Sequence, residues 1–141
     1  MTQKKLKAPV KAYNNLDFLN SKEARTLRIL AEFYEPKSRF DKNKIIDTIV
    51  FFGSARIVSR RDALKMLSDA KKDKGKNSKA VFDKALKALE MSQYYEDAVE
   101  LSKKLTEWSS SLPTSGKRFM ICSGGGPGIM EAANKGAYLA G

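Results

Sequence analysis

Two short stretches of the chain are almost continuously apolar, and most of what lies between and around them repeats at helical spacing. Residues 45–52 read Ile, Ile, Asp, Thr, Ile, Val, Phe, Phe. A near-unbroken run of β-branched and aromatic residues predicts a strand buried on both faces, as in a parallel sheet. Residues 118–123 (Arg, Phe, Met, Ile, Cys, Ser) predict a second strand. Between them, Ala63, Leu64, Leu67 and Ala70 share one side of a helix expected over 60–72. The polar run 71–77 breaks it. A long helical pattern follows over 79–109: Val81, Phe82, Ala85, Leu86 and Leu89, continued by Tyr94, Tyr95, Ala98, Val99, Leu101, Leu105 and Trp108. Such a stripe is expected to be core. Residues 109–116, with Pro113 and Gly116, form a loop. A glycine turn occupies 124–128 and a short helix 129–139.

Ahead of the first strand, residues 1–20 read as a mobile arm. A helix is expected to start at Asn20 or Ser21, both good N-caps, and to stop at Pro36. Its apolar side carries Leu27, Leu30, Ala31 and Tyr34, with Arg25, Arg28 and Glu32 between them, suited to docking on the main domain or on a partner subunit. The chain thus divides into an N-terminal arm and helix, 1–44, and a nucleotide-binding domain, 45–141.

The order strand, helical crossover, strand, turn, helix is a βαβ unit, so the fold class is α/β: a parallel sheet with flanking helices. Two strands fall short of the roughly four to six usual for such a sheet. The sheet is therefore expected to be cut short after the second strand and its helix, with further strands beyond Gly141. Ligands of these folds sit outside the carboxyl ends of the strands. Both glycine-bearing turns, Gly53-Ser54-Ala55-Arg56 and Gly124-Gly125-Gly126-Pro127-Gly128, fall at that edge.

The second turn has the chemistry of a phosphate site. Glycines let backbone N–H groups approach an anion with no Cβ in the way. Pro127 suits the first helical turn, and the positive helix end favours the anion. The spacing is not that of a dinucleotide fingerprint: G-x-G-x-x-G would need glycine at Ile129 or at Glu131. The G-x-x-x-x-G-K-[ST] loop is also absent from the sequence. Glu131 either complements the helix dipole or, since a carboxylate repels phosphate, holds the sugar of a nucleoside monophosphate. Asn134, one turn on, is expected to be structural. In the first turn Ser54 and Arg56 are either a cap and a surface residue or a hydroxyl and a guanidinium for phosphate or sugar.

Composition narrows the chemistry further. There is no histidine, so Ser-His and Cys-His pairs and the usual His-containing zinc sites are excluded, and no metal site is expected. Cys122 is the only cysteine, which rules out an intrachain disulfide. Hydrophobic residues at 42% and charged residues at 30% are ordinary for a soluble globular protein. The basic start has no apolar run behind it and no stretch is long enough for a membrane span, so a cytoplasmic protein with no membrane partner is expected. The net charge of +11 attracts anions. Its lysines are scattered, however: Lys4, Lys5 and Lys7 in the arm, and Lys71, Lys72, Lys74 and Lys76 in the polar run. They read mainly as solvated surface. A nucleic-acid groove would interleave aromatic residues with them, so nucleic acid is not the favoured partner.

Phe52-Gly53-Ser54-Ala55-Arg56 and the run Gly124-Gly125-Gly126-Pro127-Gly128-Ile129-Met130-Glu131-Ala132-Ala133-Asn134-Lys135-Gly136-Ala137 together resemble the LONELY GUY (LOG) family, also described as lysine decarboxylase-like. The crossover segment Met91-Ser92-Gln93-Tyr94-Tyr95-Glu96 is similar to that family's larger bacterial branch. The resemblance covers residues 45–141. It implies a Rossmann-like fold and a hydrolase of the glycosidase type: cleavage of the N-glycosidic bond of AMP, or of a cytokinin riboside 5′-monophosphate, to free base and ribose 5-phosphate. It implies no cofactor, and a homo-oligomer with sites near subunit contacts. Carried onto this chain, the substrate-binding positions are Gly53, Ser54, Ala55, Arg56, Gly124, Gly125, Gly126, Pro127, Gly128, Ile129, Met130 and Glu131. The family's second signature, Pro-Gly-Gly-x-Gly-Thr-x-x-Glu, holds its catalytic Glu and does not occur in these 141 residues. Nor does the essential Arg that lies between the two signatures. Catalytic residues are therefore expected beyond Gly141. Glu131, the one carboxylate expected at this edge, is assigned to ribose and not to proton transfer. The alternative is a non-catalytic nucleotide or cofactor carrier, or a single-stranded DNA-binding protein, on the same fold.

Overall fold

The computed structural model describes residues 9–72, 74–75, 77–113 and 115–141. Lys4, Lys5, Lys7 and Lys76 of the basic runs lie outside them. Two compact units part between Asn43 and Lys44.

The first unit is helical. A 3₁₀ turn, Ala12–Asn14, leads into a short helix α1, Leu16–Asn20, and then into α2, Arg25–Lys42. Asn15 caps α1, its side chain accepting from the Phe18 amide at 3.1 Å. Arg28 reaches back and donates to the carbonyls of Leu19 and Ser21 at 2.7 and 2.6 Å, which ties the two helices together. Helix α2 starts later than its cap residues suggested and runs straight through Pro36. A proline inside a helix forfeits one backbone bond and crowds the preceding turn. Across and after it, Glu35 pairs with Arg39, Lys37 with Asp41 at 2.7 Å, and the Asn43 side chain donates to the Arg39 carbonyl at 2.8 Å. No residue of α2 is buried.

The second unit carries the sheet. Strands β1, Thr48–Phe51, and β2, Met120–Ser123, pair in parallel with Ile49 opposite Ile121 and Phe51 opposite Ser123. Helices α3, Arg60–Lys72, and α4, Ser78–Ser110, form the crossover, and α5, Ile129–Ala140, follows β2. Among the described residues this is a mixed α/β unit with a two-stranded parallel sheet flanked by helices. One expectation fails. The first strand is not buried on both faces: Val50 is 67% exposed, and Phe52, just past the strand, 88%. They alternate with half-buried Ile49 and Phe51, so the helices cover one face.

At the amino end of the sheet, Asp47 accepts two bonds from the Arg118 guanidinium (2.9 and 2.6 Å) and one from the Phe119 amide (2.5 Å). Phe119 is thereby held at φ 52°, a left-handed conformation that costs a bulky residue about 1–2 kcal/mol. Its ring stacks against Trp108 at 5.0 Å, which offsets part of that.

The core of the unit lies between α4 and α5, and it is built from small residues. Helix α4 buries Ala85, Ser92, Tyr95, Ala98, Ser102, Thr106 and Ser109, a strip repeating every three or four positions. The larger residues of the expected stripe, Tyr94, Leu101 and Trp108, are exposed instead. The reason is close approach. Helix α5 presents buried Ala132, Ala133 and Gly136, and a Cβ built on Gly136 would lie 2.1 Å from the Val99 carbonyl oxygen. Ser102 Oγ donates to the Ala133 carbonyl at 2.6 Å across the same seam. Tyr95 is the large residue of the strip and packs with Ala98 and Ala132, but beside Gly136 a side chain larger than Ser102 would force the helices apart.

Candidate functional site

The close seam between α4 and α5 fixes where α5 begins, and with it the glycine turn. The turn follows β2 directly. Ser123 Oγ accepts from the Gly125 amide at 3.2 Å and donates to Asn134 Oδ1 at 2.9 Å, so Asn134 braces the turn from within α5. The N-cap of α5 is Gly128, at φ 75° and ψ −128°. Pro127 therefore sits one residue before the cap and not in the first helical turn, as the sequence suggested. The backbone at Gly128 is open essentially to glycine alone. A Cβ there would also meet the Ser54 carbonyl oxygen at 2.2 Å.

That clash marks where the two turns touch. The Ile129 amide donates to the Ser54 carbonyl at 3.2 Å, and a Cβ on Gly53 would press into the Ile129 side chain at 2.8 Å. Gly53, Ser54 and Ala55 are thus packed against Gly128 and Ile129 at the carboxyl ends of adjacent parallel strands. The amide of Ile129 is used in this contact. The Gly124 amide continues the strand ladder toward the Phe51 carbonyl, and the amides of Gly126, Met130 and Glu131 have no acceptor among the described residues. Gly125, at φ 70°, has open space where a Cβ would point, so the turn is accessible from outside. Together with the positive end of a twelve-residue helix, these donors can hold an anion.

Glu131 leaves the glycine turn for a polar hollow of about 480 Å3, which it shares with Ser59, Arg61, Asp62, Tyr95, Glu96 and Lys135. Glu131 is thus not the only carboxylate at this edge, as the sequence suggested. Asp62 comes from the first turn of α3 and Glu96 from the middle of α4, and neither is adjacent to Glu131 in sequence. Ser59 caps α3, accepting from the Asp62 amide at 3.2 Å and donating to the Asp62 carboxylate at 2.7 Å. This bond from Ser59, with Arg61 beside it, holds the Asp62 carboxyl below its usual range. Glu96 accepts from the Arg60 amide at 2.9 Å and so joins the α3 N-terminus to α4. Tyr95 is almost wholly buried. Burial first, then the Glu131 charge, pushes its phenol above the ordinary value. Lys135 Nζ lies 5.7 Å from the centre of the Tyr95 ring. The Ser59-x-x-Asp62 spacing is a visible capping signal. Glu96 and Tyr95 carry no such signal, because only the packing of α4 on α3 and α5 brings them here.

Ser54 and Arg56 face elsewhere. Ser54 Oγ accepts from the Arg56 amide at 3.2 Å, a local turn bond. Both residues line a separate hollow against α3 and α4. The expected site residues therefore divide three ways: Gly53 to Ala55 and Gly128 to Ile129 as the contact of the two turns, Gly126 and Met130 with open amides beside Gly124 and Gly125, whose amides are already engaged, and Glu131 in the acidic hollow. Arg56 joins neither the open donors nor the acidic hollow.

What the arrangement offers chemically is an anion-binding turn beside a cluster of three carboxylates. A molecule carrying a phosphate at one end and developing positive charge at the other matches that polarity. No helix among the described residues is long and apolar enough to cross a membrane. Comparison with protein-family models, with curated proteins and with solved structures gives no match for this chain.

Proposed function

We propose that this chain forms the nucleotide-binding part of a nucleoside 5′-monophosphate phosphoribohydrolase on a Rossmann-like fold. The reading rests on its resemblance to the LOG family and, above all, on one observation. The two glycine-bearing turns meet through the Ile129–Ser54 bond at the carboxyl ends of two parallel strands, leaving the neighbouring amides open. In this reading the 5′-phosphate accepts from the amides of Gly126, Met130 and Glu131. The ribose lies toward the Glu131 carboxylate. When the bond between base and C1′ breaks, its electron pair leaves with the base, which takes up a proton. The sugar becomes oxocarbenium-like and water adds at C1′, losing its own proton. In this reading the carboxylates of Asp62, Glu96 and Glu131, which line one hollow with Arg61 and Lys135, favour the positive sugar. Proton transfer belongs to residues outside this set, in line with the family's second signature.

The substrate is AMP or an N6-substituted AMP, and the working protein is a homo-oligomer. Incubation with AMP, with free adenine and ribose 5-phosphate measured over time, tests the reading. Release of both supports it, and Glu131→Gln then raises KM. AMP that binds and is returned intact moves the protein to the carrier class. Failure to bind AMP at all overturns both.

A further inference from the structure

The hollow that takes Ser54 and Arg56 has a character of its own. It encloses about 350 Å3 between the segment after β1 and the helices α3 and α4. Its walls are Ile57, Val58, Met66, Ala88 and Met91, and its charged members are Arg56, Lys84 and Lys87. No carboxylate lines it, and neither does any aromatic ring. The volume is at the lower end of small-molecule sites, which run from roughly 300 to 1,000 Å3.

The three cations come from two elements, Arg56 from the loop and the lysines from successive turns of α4. None of them forms an ion pair among the described residues. Asp83 stands one turn before Lys87, and Asp69 lines a neighbouring groove with Lys84, yet neither pairs with a lysine. Like charges one helical turn apart repel, and an anion between them relieves that repulsion. An apolar interior under an uncompensated cationic rim is complementary to a ligand with a greasy body and an anionic head. A nucleotide base is a poor fit, because nothing in the lining can stack on it.

We infer that this hollow is a second binding site, for a small aliphatic anion of the medium-chain carboxylate class, its chain against Ile57, Val58, Met66 and Met91 and its head held by Arg56, Lys84 and Lys87. The site is separate from the open amides of the glycine turn and does not require the nucleotide reading to hold.

Decanoate below its micelle concentration is the probe, titrated calorimetrically into the protein at neutral pH. Acetate supplies the head without the body, and decanol the body without the head. Decanoate binds at one site, acetate fails to bind, and decanol binds on the order of tenfold more weakly, since a charge-assisted hydrogen bond contributes about that factor. The double variant Lys84→Gln/Lys87→Gln, at two exposed positions, weakens decanoate on the order of tenfold or more while leaving the circular dichroism spectrum and AMP affinity unchanged. Equal binding of decanol and decanoate overturns the inference, as does an unchanged decanoate affinity in the double variant. Binding to vesicles of anionic lipid without binding of monomeric decanoate also overturns it, and assigns the cations to a membrane surface.

Discussion

Replacing Gly128 with alanine strikes the one point where both turns, the helix start and the sheet edge depend on each other. Gly128 is buried and sits at φ 75° and ψ −128°. An alanine there takes on a conformation that costs about 1–3 kcal/mol. Its Cβ also falls 2.2 Å from the Ser54 carbonyl oxygen and 2.9 Å from the Ala55 Cα, both backbone atoms with no rotamer to escape into. Relieving that overlap separates the turns, at about 1–3 kcal/mol for overpacking. It also lengthens the 3.2 Å bond from the Ile129 amide, about 1 kcal/mol more. The sum is about 3–7 kcal/mol, a large share of the stability of an ordinary domain. Gly125→Ala is the matched comparison: φ is 70°, but nothing lies within 4 Å of the new atom, so only the backbone cost of about 1–2 kcal/mol remains. Urea unfolding followed by circular dichroism at 222 nm reads both. A Gly128→Ala variant within about 1 kcal/mol of the parent, or no less stable than Gly125→Ala, would refute the contact of the two turns.

Three further outcomes follow from the same structure. Gly136→Ala drives a methyl group into the Val99 carbonyl at 2.1 Å and should cost about 2 kcal/mol or more in urea unfolding, because both contacting surfaces are helix backbone or buried side chain. Asp47 has its carboxyl held low by the Arg118 guanidinium and then by the Phe119 amide. The stability it lends is therefore present above the ordinary Asp value near about pH 3.9 and is lost as pH falls through the lower folded value. Asp47→Asn should lower Tm at neutral pH and flatten the acid limb of a Tm-against-pH plot, leaving the part owed to Asp62, Glu23 and Glu100. Tyr95 shifts the other way, so its contribution is in place below the ordinary phenol value of about 10 and is lost as pH rises through the folded value. Absorbance at 295 nm should show one of the five tyrosines ionising late. That late step should vanish in Tyr95→Phe and move earlier in Glu131→Gln.

Much of the secondary structure was legible because local signals agreed with the fold. Helix α3 begins and ends at the residues its apolar spacing suggested, α4 is longer by one residue at each end, and α5 by one at its carboxyl end. The two strands fall within their β-branched runs. Pro36 does not stop α2: the helix continues to Lys42, with the local pairs Glu35–Arg39 and Lys37–Asp41 across and after it. Elsewhere a residue distant in sequence decided the matter. Tyr94, Leu101 and Trp108 looked like core, yet α5 packs on the neighbouring strip of Tyr95, Ala98 and Ser102, with Gly136 against the Val99 carbonyl. Val50 and Phe52 looked buried on composition, but the flanking helices lie on the opposite face of β1. In the site, the glycine turn and Gly53–Ala55 were visible as sequence and do meet. Glu96 and Tyr95 were not visible, since only the crossing of α3, α4 and α5 sets them beside Glu131. The sequence pairs Arg56 with the phosphate turn because both follow strands that end at one sheet edge, and the backbone after Ser54 turns it toward Lys84 and Lys87 instead.

The most direct test of the glycine turn is a titration of isotope-labelled protein with ribose 5-phosphate, AMP and adenosine, following backbone 15N–1H resonances. Ribose 5-phosphate and AMP should both shift the amides of Gly126, Met130 and Glu131, leave that of Ile129 nearly still, and lose affinity in Gly128→Ala. Adenosine, which lacks the phosphate, should leave the same amides unmoved. Phosphate-bearing ligands that bind without touching these resonances, or adenosine that shifts them as strongly as AMP, would contradict the assignment of this turn to a ribose monophosphate.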